Sequence, residues 1–396
     1  MIDIAVLFVA YLLSQFYRAF LAVLSPALIA ELGVTPSDLS LAVGAWFAAF
    51  AATQLPVGVA LDRIGPRRTL GWAFFVGGGG GALLFSAAQD GAMLIAAMAM
   101  IGAGCAPMLT SGMFLFARRF APARLATLTG LMIGVGSLGN VFAAAPFAGM
   151  IEALGWRGAM ALLGAVSAGL AALLLVVIRD PPRVEGAGPQ GLGGFAELLR
   201  LRVLWPILPL ALANYAVAAG LRGLWIGPYL LDLHAMSNVA IGLATTWMAL
   251  AMVAGNFVYG PLDRLLGSRK WLLLVGNALG CIACGWLWLS PTEAAVAVAL
   301  LAAIGFFGSS YAVLSAHFAA FVPARLTGRG VTLINVFGIG GVGLGQFATG
   351  ALFDAAGGGA EGHAAVLAWY TLTLGAALFV YVFSRDAPPV RKATPR

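Results

Sequence analysis

Apolar runs of roughly twenty residues recur along the whole chain, separated by short polar segments, and each is long enough to cross a bilayer as a helix. Twelve are predicted, near 4–30, 39–61, 70–88, 92–117, 125–152, 155–178, 203–231, 239–262, 271–289, 294–319, 328–353 and 364–384. No long polar region lies between them that could fold as a soluble domain. The first run carries Asp3, lacks a basic leader and outlasts the apolar core of a secretion signal, so it is expected to remain as a membrane helix.

Composition agrees with that pattern. The 396 residues are 61% hydrophobic and 9% charged, against about 25% charged in a soluble domain. The net charge of +7 invites a nucleic-acid reading, but the placement of the charges argues against it. Nineteen of the 22 basic residues fall in alternate loops or the C-terminal tail, and Arg157 alone stands in the opposite loops. This positive-inside asymmetry predicts an inner-membrane protein with both termini and the 179–202 loop in the cytoplasm. Cys281 and Cys284 form a CxxC inside an apolar helix with no second pair, which reads as packing rather than a redox or metal site.

The chain repeats itself at half length. Gly58-Val-Ala-Leu-Asp62-Arg63-Ile-Gly65-Pro-Arg67-Arg68 follows the second run, and Gly260-Pro-Leu-Asp263-Arg264-Leu-Leu-Gly267-Ser-Arg269-Lys270 follows the eighth. Asp62-Arg63 and Asp263-Arg264 are 201 residues apart, as are Phe120-Ala-Pro122-Ala-Arg124-Leu125 and Phe321-Val-Pro323-Ala-Arg325-Leu326. Two six-helix halves are expected, 1–178 and 203–396, joined by a Pro- and Gly-rich linker at 179–202 with an amphipathic stretch at 195–202.

The 58–68 loop resembles the signature G-x-x-x-D-R-x-G-x-R-R of the major facilitator superfamily, with a degenerate second copy at 260–270. The resemblance covers essentially the whole chain. It implies an all-α fold of twelve transmembrane helices in two pseudo-symmetric six-helix bundles, and a gate at the cytoplasmic ends formed by Gly58, Asp62, Arg63, Gly65, Arg67 and Arg68 with Asp263 and Arg264. Asp62 suits such a lock because a carboxylate can accept hydrogen bonds from helix N-termini and pair with a nearby Arg. Gly58 and Gly65 allow close backbone approach.

Two arginines stand inside the spans, one per half. An Arg at a helix centre costs about 2.5–3.5 kcal/mol on the insertion scale, so each should face a cavity and have a partner. Arg18 shares its helical face with Tyr11, Ser14, Gln15 and Ser25, and Arg222 shares its own with Asn214, Tyr215, Trp225 and Tyr229. None of the fifteen acidic residues falls mid-span. Two fixed cations without a buried acid suit an anion, which the guanidinium fork binds bidentately; each arginine could instead tie helices together as a hydrogen-bond hub.

Leu221-Arg222-Gly223-Leu-Trp225-Ile-Gly-Pro228-Tyr229-Leu230 resembles the seventh-helix pattern L-R-x-G-x-x-x-W-x-P-x-Y-L of the organophosphate:phosphate antiporters, shortened by a residue or two. Phe16-Tyr17-Arg18, followed by Ala27-Leu28 and Leu32-Gly33, resembles the first helix of those antiporters and of the anion:cation symporters. The resemblance implies that Arg18 and Arg222 are paired substrate arginines. Tyr17 stands where the symporters carry Asp, which favours exchange or facilitated movement over proton symport.

Gln54, Asn140, Asn256, Tyr311, Asn335 and Gln346 could line the cavity or simply join helices, and His317 is the one residue suited to proton coupling near neutral pH. Scattered methionines leave copper transport open as a lesser reading. Drug efflux and a ligand sensor built on the same fold also remain open. The sequence holds no H-E-x-x-H, no G-x-S-x-G and no P-loop, so neither an enzyme nor a nucleotide-driven pump is expected. The expectation is a monomeric secondary or facilitative transporter of a small anion. It needs no cofactor, and its partners are that substrate and the lipid bilayer.

Overall fold

Hydrocarbon offers a backbone no hydrogen-bond partner, so each apolar run must satisfy its own N–H and C=O groups, and helices do this. The computed structural model describes residues 2–120, 122–181, 193–290, 292–323 and 326–387, and no strand occurs among the described residues. The first run is split into α1 (Ile2–Phe16) and α2 (Leu21–Leu32), which are bent by 50°. The second is α3 (Pro36–Arg63), opened by a capping box between Thr35 and Asp38. The third joins α4 (Pro66–Ala73), a π-helical turn (Phe74–Gly80) and α5 (Gly81–Ser86). α6 (Gly91–Cys105) and α7 (Pro107–Arg119) form the fourth, and α8 (Pro122–Phe142) is the body of the fifth.

α9 (Ala145–Val177) has 33 residues and, if straight, would run about 50 Å, well beyond the apolar thickness of a bilayer. Gly155, at φ 68°, breaks it. The break falls at the edge of the expected boundary between 152 and 155. The short α10 (Gly193–Arg200) falls at the amphipathic stretch. The seventh span joins α11 (Leu208–Gly220), a π-helical turn (Leu221–Trp225) and α12 (Ile226–His234). α13 (Asn238–Leu266), α14 (Arg269–Leu289), the pair α15 (Ala294–Gly308) and α16 (Tyr311–Ala319), α17 (Thr327–Ala355) and α18 (Gly359–Tyr381) supply the last five. Nine described helical segments are long and apolar enough to cross a membrane, and the bent α1–α2 pair makes ten. α3 and α8 complete the twelve.

By its contacts the chain divides into two units, Met1–Ala187 with Gly223–Thr246, and Gly188–Arg222 with Trp247–Arg396. The division passes through the π-turn beside Arg222. The same pairings recur in each unit: α1 packs on α8 and the third span on α9, then α11 packs on α17 and α14 on α18. These pair spans one with five and three with six, then seven with eleven and nine with twelve, as a duplicated six-helix unit requires.

Large apolar side chains remain outside, with Val176 75%, Phe257 73% and Leu265 78% exposed. Only lipid makes such a surface favourable. Inside, the five-glycine run Gly77–Gly81 lies mostly in the π-turn, and Gly77 rests directly on Gly104 of α6 with no room for a side chain on either. Two membrane helices approach this closely only through small residues.

Candidate functional site

The first span breaks at Tyr17–Phe20, and Arg18 sits in the break. No Gly or Pro occurs there. Buried neighbours hold the turn instead: the Tyr17 hydroxyl lies 2.9 Å from Ser167 Oγ and donates to the Leu163 carbonyl at 3.3 Å. In α2, Pro26 cannot donate to the Ala22 carbonyl, and the Ser25 hydroxyl takes its place at 2.8 Å. Arg18 is half-buried, and its guanidinium carbon lies 4.8 Å from the Phe50 ring centroid and 5.4 Å from that of Trp46, both on α3. Arg18 has no acidic partner among the described residues.

The residues expected on the same face have distinct surroundings. Tyr11 is buried against Gly136 of α8, and the Cγ of Gln15 packs at the same place. Ser14 is buried and donates to the Cys105 carbonyl at 3.5 Å. The oxygen of Gln15 and that of Asn140, one turn beyond Gly136, are buried without a hydrogen-bond partner among the described residues. Gln54 joins α3 to the fourth span, donating to the Ala106 carbonyl at 3.2 Å.

Arg222 is 1% exposed and lies in the π-turn of the seventh span. Single π-turns in helices cluster at functional sites. This one leaves the Gly220 carbonyl to a side chain, and Gln346 Nε2 donates to it at 3.0 Å. Asn214 is drawn into an interhelical cluster, donating to Asn277 Oδ1 at 2.5 Å and to Ser310 Oγ at 2.9 Å. Tyr215 meets Tyr311 with ring centroids 5.9 Å apart. Trp225 and Tyr229 belong with α12 to the first unit, where both are buried and Tyr229 lies against His234. There α12 rests on α2, and Gly227 meets the Ala22 carbonyl and the Ser25 hydroxyl so closely that a Cβ would overlap both.

His317 is fully buried in the second unit. Its Nε2 faces the Arg385 carbonyl at 2.8 Å and so carries the proton, and its Nδ1 accepts from the Tyr381 hydroxyl at 2.6 Å. Both ring nitrogens hold α16 to the end of the twelfth span.

Of the loop residues expected to gate, the Asp62 side chain lies outside the described residues. Arg63 and Arg68 are exposed, and nothing described lies within 4 Å of a Cβ built at Gly58. Gly65 adopts φ 96° with the Asp180 carboxylate 2.7 Å from where a Cβ would stand, so only glycine fits. Asp180 Oδ1 accepts from the Arg67 N–H at 2.8 Å, and Arg67 Nε donates to the Leu175 carbonyl. Arg119 pairs with Asp3 and donates to the Arg179 carbonyl.

The second copy is built alike. Asp386 Oδ1 accepts from the Lys270 N–H at 3.1 Å and its Oδ2 from Ser268 at 2.5 Å, while Asp263 pairs with Arg269 at 3.2 Å and Arg264 is exposed. An acid after the last helix of each six-helix repeat thus caps the first turn of that repeat's third helix. The sequence carried this signal unread: Arg179-Asp180-Pro181-Pro182 recurs as Arg385-Asp386-Ala387-Pro388-Pro389, 206 residues on. Partial burial raises the affinity of the Asp386 carboxyl for its proton, but the bonds from Ser268, Lys270 and Ala387 outweigh it and hold the group below the ordinary carboxylate value. Its contribution is complete above the unfolded carboxylate value near pH 4 and is lost as pH falls through the lower folded value. Asp386→Asn should therefore remove part of the fall in melting temperature in acid, read by thermal unfolding from pH 7 to pH 3. An unchanged acid profile would deny Asp386 this role. Asp180→Ala should cost about 0.5–2 kcal/mol, as loss of a helix cap does, read in the same assay.

The family profile of the Major Facilitator Superfamily matches residues 7–234 and 192–396. The chain is 24% identical over 295 residues to a probable L-galactonate transporter of Escherichia coli, covering 69% of this chain and 62% of that protein. It is 22% identical over 361 residues to the probable galactarate/D-glucarate transporter GudP of Bacillus subtilis, covering 81% of this chain and 78% of that protein. Among solved structures, it resembles an inward-facing, occupied bacterial homologue of the human lysosomal transporter Spinster, with TM-score 0.74, 18% identity and 96% of each chain covered. It also resembles a D-xylose–proton symporter, with TM-score 0.76, 14% identity, 96% of this chain and 97% of that one. A profile match over nearly the whole length, on twelve helices in repeated pairings, settles the family: the chain belongs to the Major Facilitator Superfamily.

Proposed function

We propose that this protein is a secondary or facilitative transporter of small organic anions of the sugar-acid kind, working by alternating access. The observation that carries the reading is Arg18. Its guanidinium stands in a helix break over two aromatic rings, with no acid among the described residues to neutralise it. A cation so placed has in-plane donors to offer a carboxylate. The names of the galactonate and galactarate/glucarate relatives agree on a hydroxylated carboxylate as cargo. Arg222 is the second substrate arginine that the sequence pattern offers, and Tyr11, Ser14, Gln15, Tyr215, Trp225 and Tyr229 are the further substrate contacts it offers. Asn214 contributes through the cluster that fixes its helix.

The basic loops lie on the cytoplasmic side of an inner membrane, with both termini, and the protein acts as a monomer. Asp62 with Arg63, Arg67 and Arg68, and Asp263 with Arg264, gate that side. The contact of α12 with α2 lies at the opposite end and serves as the outer gate. His317 braces the twelfth span and does not carry protons.

Thermal unfolding of purified protein across a ligand panel tests the cargo class. A ligand at a hundred times its Kd stabilises by about 2.7 kcal/mol. Galactonate or glucarate should raise the melting temperature, while inorganic phosphate, phosphate esters and lipophilic cations should not. A response to lipophilic cations alone would replace this reading with drug efflux.

A further inference from the structure

Beside Arg18 the first unit holds an aromatic pair that reads in the sequence as two ordinary apolar residues. Trp46 and Phe50, one turn apart on α3, stack with ring centroids 5.2 Å apart and 16° between their planes. The Arg18 guanidinium carbon lies within 5.4 Å of both ring centroids. The pair is rigidly seated: Trp46 is 1% and Phe50 4% exposed, and the Trp46 carbonyl fills the space where a side chain on Gly102 of α6 would stand. Yet the indole Nε1 of Trp46 is buried with no hydrogen-bond partner among the described residues, and so is Nε of Arg18. A buried Trp N–H ordinarily finds an acceptor. Here two neighbouring groups, both donors only, lack one. A shared acceptor with several lone pairs is what the place wants, and an ionised carboxylate is such a group.

We propose that Trp46 is part of the anion site and has two tasks there. Its ring, with that of Phe50, positions the Arg18 guanidinium, and its indole N–H donates to the carboxylate of the bound anion. The first task explains how an arginine is held in a membrane helix without an acid. Aromatic faces attract the cation and leave its in-plane N–H groups to the ligand, whereas a carboxylate partner would occupy them. The proposal rests on the reading that Arg18 binds the transported anion, and it adds a residue that determines affinity.

The test is the Kd of galactonate for the purified full-length chain, measured by calorimetry alongside the melting temperature without ligand. W46F keeps a ring and removes the donor, so it should bind about tenfold more weakly, as loss of one hydrogen bond to a charged group does, with the unliganded melting temperature little changed. W46L also removes the platform and should bind weaker still, by about another threefold. F50L, which spares the donor, should show about that threefold loss alone. Wild-type affinity in W46F would overturn the donor role, and wild-type affinity in both leucine variants would overturn the platform. A Trp46 that only packs would lower the melting temperature of W46F and leave its affinity unchanged. If W46L does not fold, F50L decides the platform. Wild-type protein that binds no carboxylate at all would instead overturn the underlying anion reading.

Discussion

Arg18→Ala is expected to weaken galactonate binding by at least a hundredfold and to leave the unliganded fold nearly as stable as before. The first half of that expectation follows from the fork geometry. A guanidinium meeting a carboxylate through two N–H groups makes two charge-assisted bonds, each contributing about 1.5–3 kcal/mol. Their joint loss corresponds to roughly 10² to 10⁴ in Kd. The second half follows from the surroundings. Arg18 is half-buried over the faces of Phe50 and Trp46 and has no acidic partner among the described residues, so truncation leaves no described acid unpaired. Arg18→Lys should fall between the two, because an ammonium keeps the charge and loses the planar fork. The measurement is calorimetric titration with galactonate beside thermal unfolding without it. A variant that loses stability and keeps its affinity would make Arg18 a structural hub.

The other large effect is expected at Gly227. A leucine there must push α12 away from α2, because even a Cβ overlaps the Ala22 carbonyl and the Ser25 hydroxyl. Ser25 cannot simply turn aside, since its hydroxyl satisfies the carbonyl that Pro26 leaves free. Overpacking of this kind costs about 1–3 kcal/mol. If the α2–α12 contact is the outer gate, that cost falls only on the state in which the gate is shut. The balance between states then moves about 5- to 150-fold toward the open one. Labelling of a cysteine introduced on α12 by an impermeant reagent should accelerate in Gly227→Leu, and transport should fall. Unaltered labelling with normal transport would show that these helices stay together throughout the cycle.

Much of this architecture was legible in the chain. Twelve apolar runs, a 201-residue repeat and alternating basic loops carry the fold, because a bilayer admits few alternatives for such segments. The helix break at Gly155 falls at one end of such a run. What stayed hidden depends on contacts between distant residues. The break at Tyr17–Phe20 has no Gly or Pro to announce it and is held by Ser167 and the Leu163 carbonyl, some 150 residues away. The π-turn at Arg222 inserts nothing visible in an apolar pattern. Trp46 and Phe50 read as ordinary apolar residues until α3 sets them under Arg18. Asp180 and Asp386 are marked in the sequence itself, since each follows an Arg and stands just before a Pro-Pro pair.

The proposed transport of a hydroxylated carboxylate should depend on Arg18. Proteoliposomes preloaded with unlabelled galactonate and given labelled galactonate outside test it directly. Counterflow uptake is expected, competed away by unlabelled glucarate, unaffected by inorganic phosphate and abolished by Arg18→Ala. Binding without any movement of label would make the protein a sensor, and uptake that survives Arg18→Ala would contradict the site.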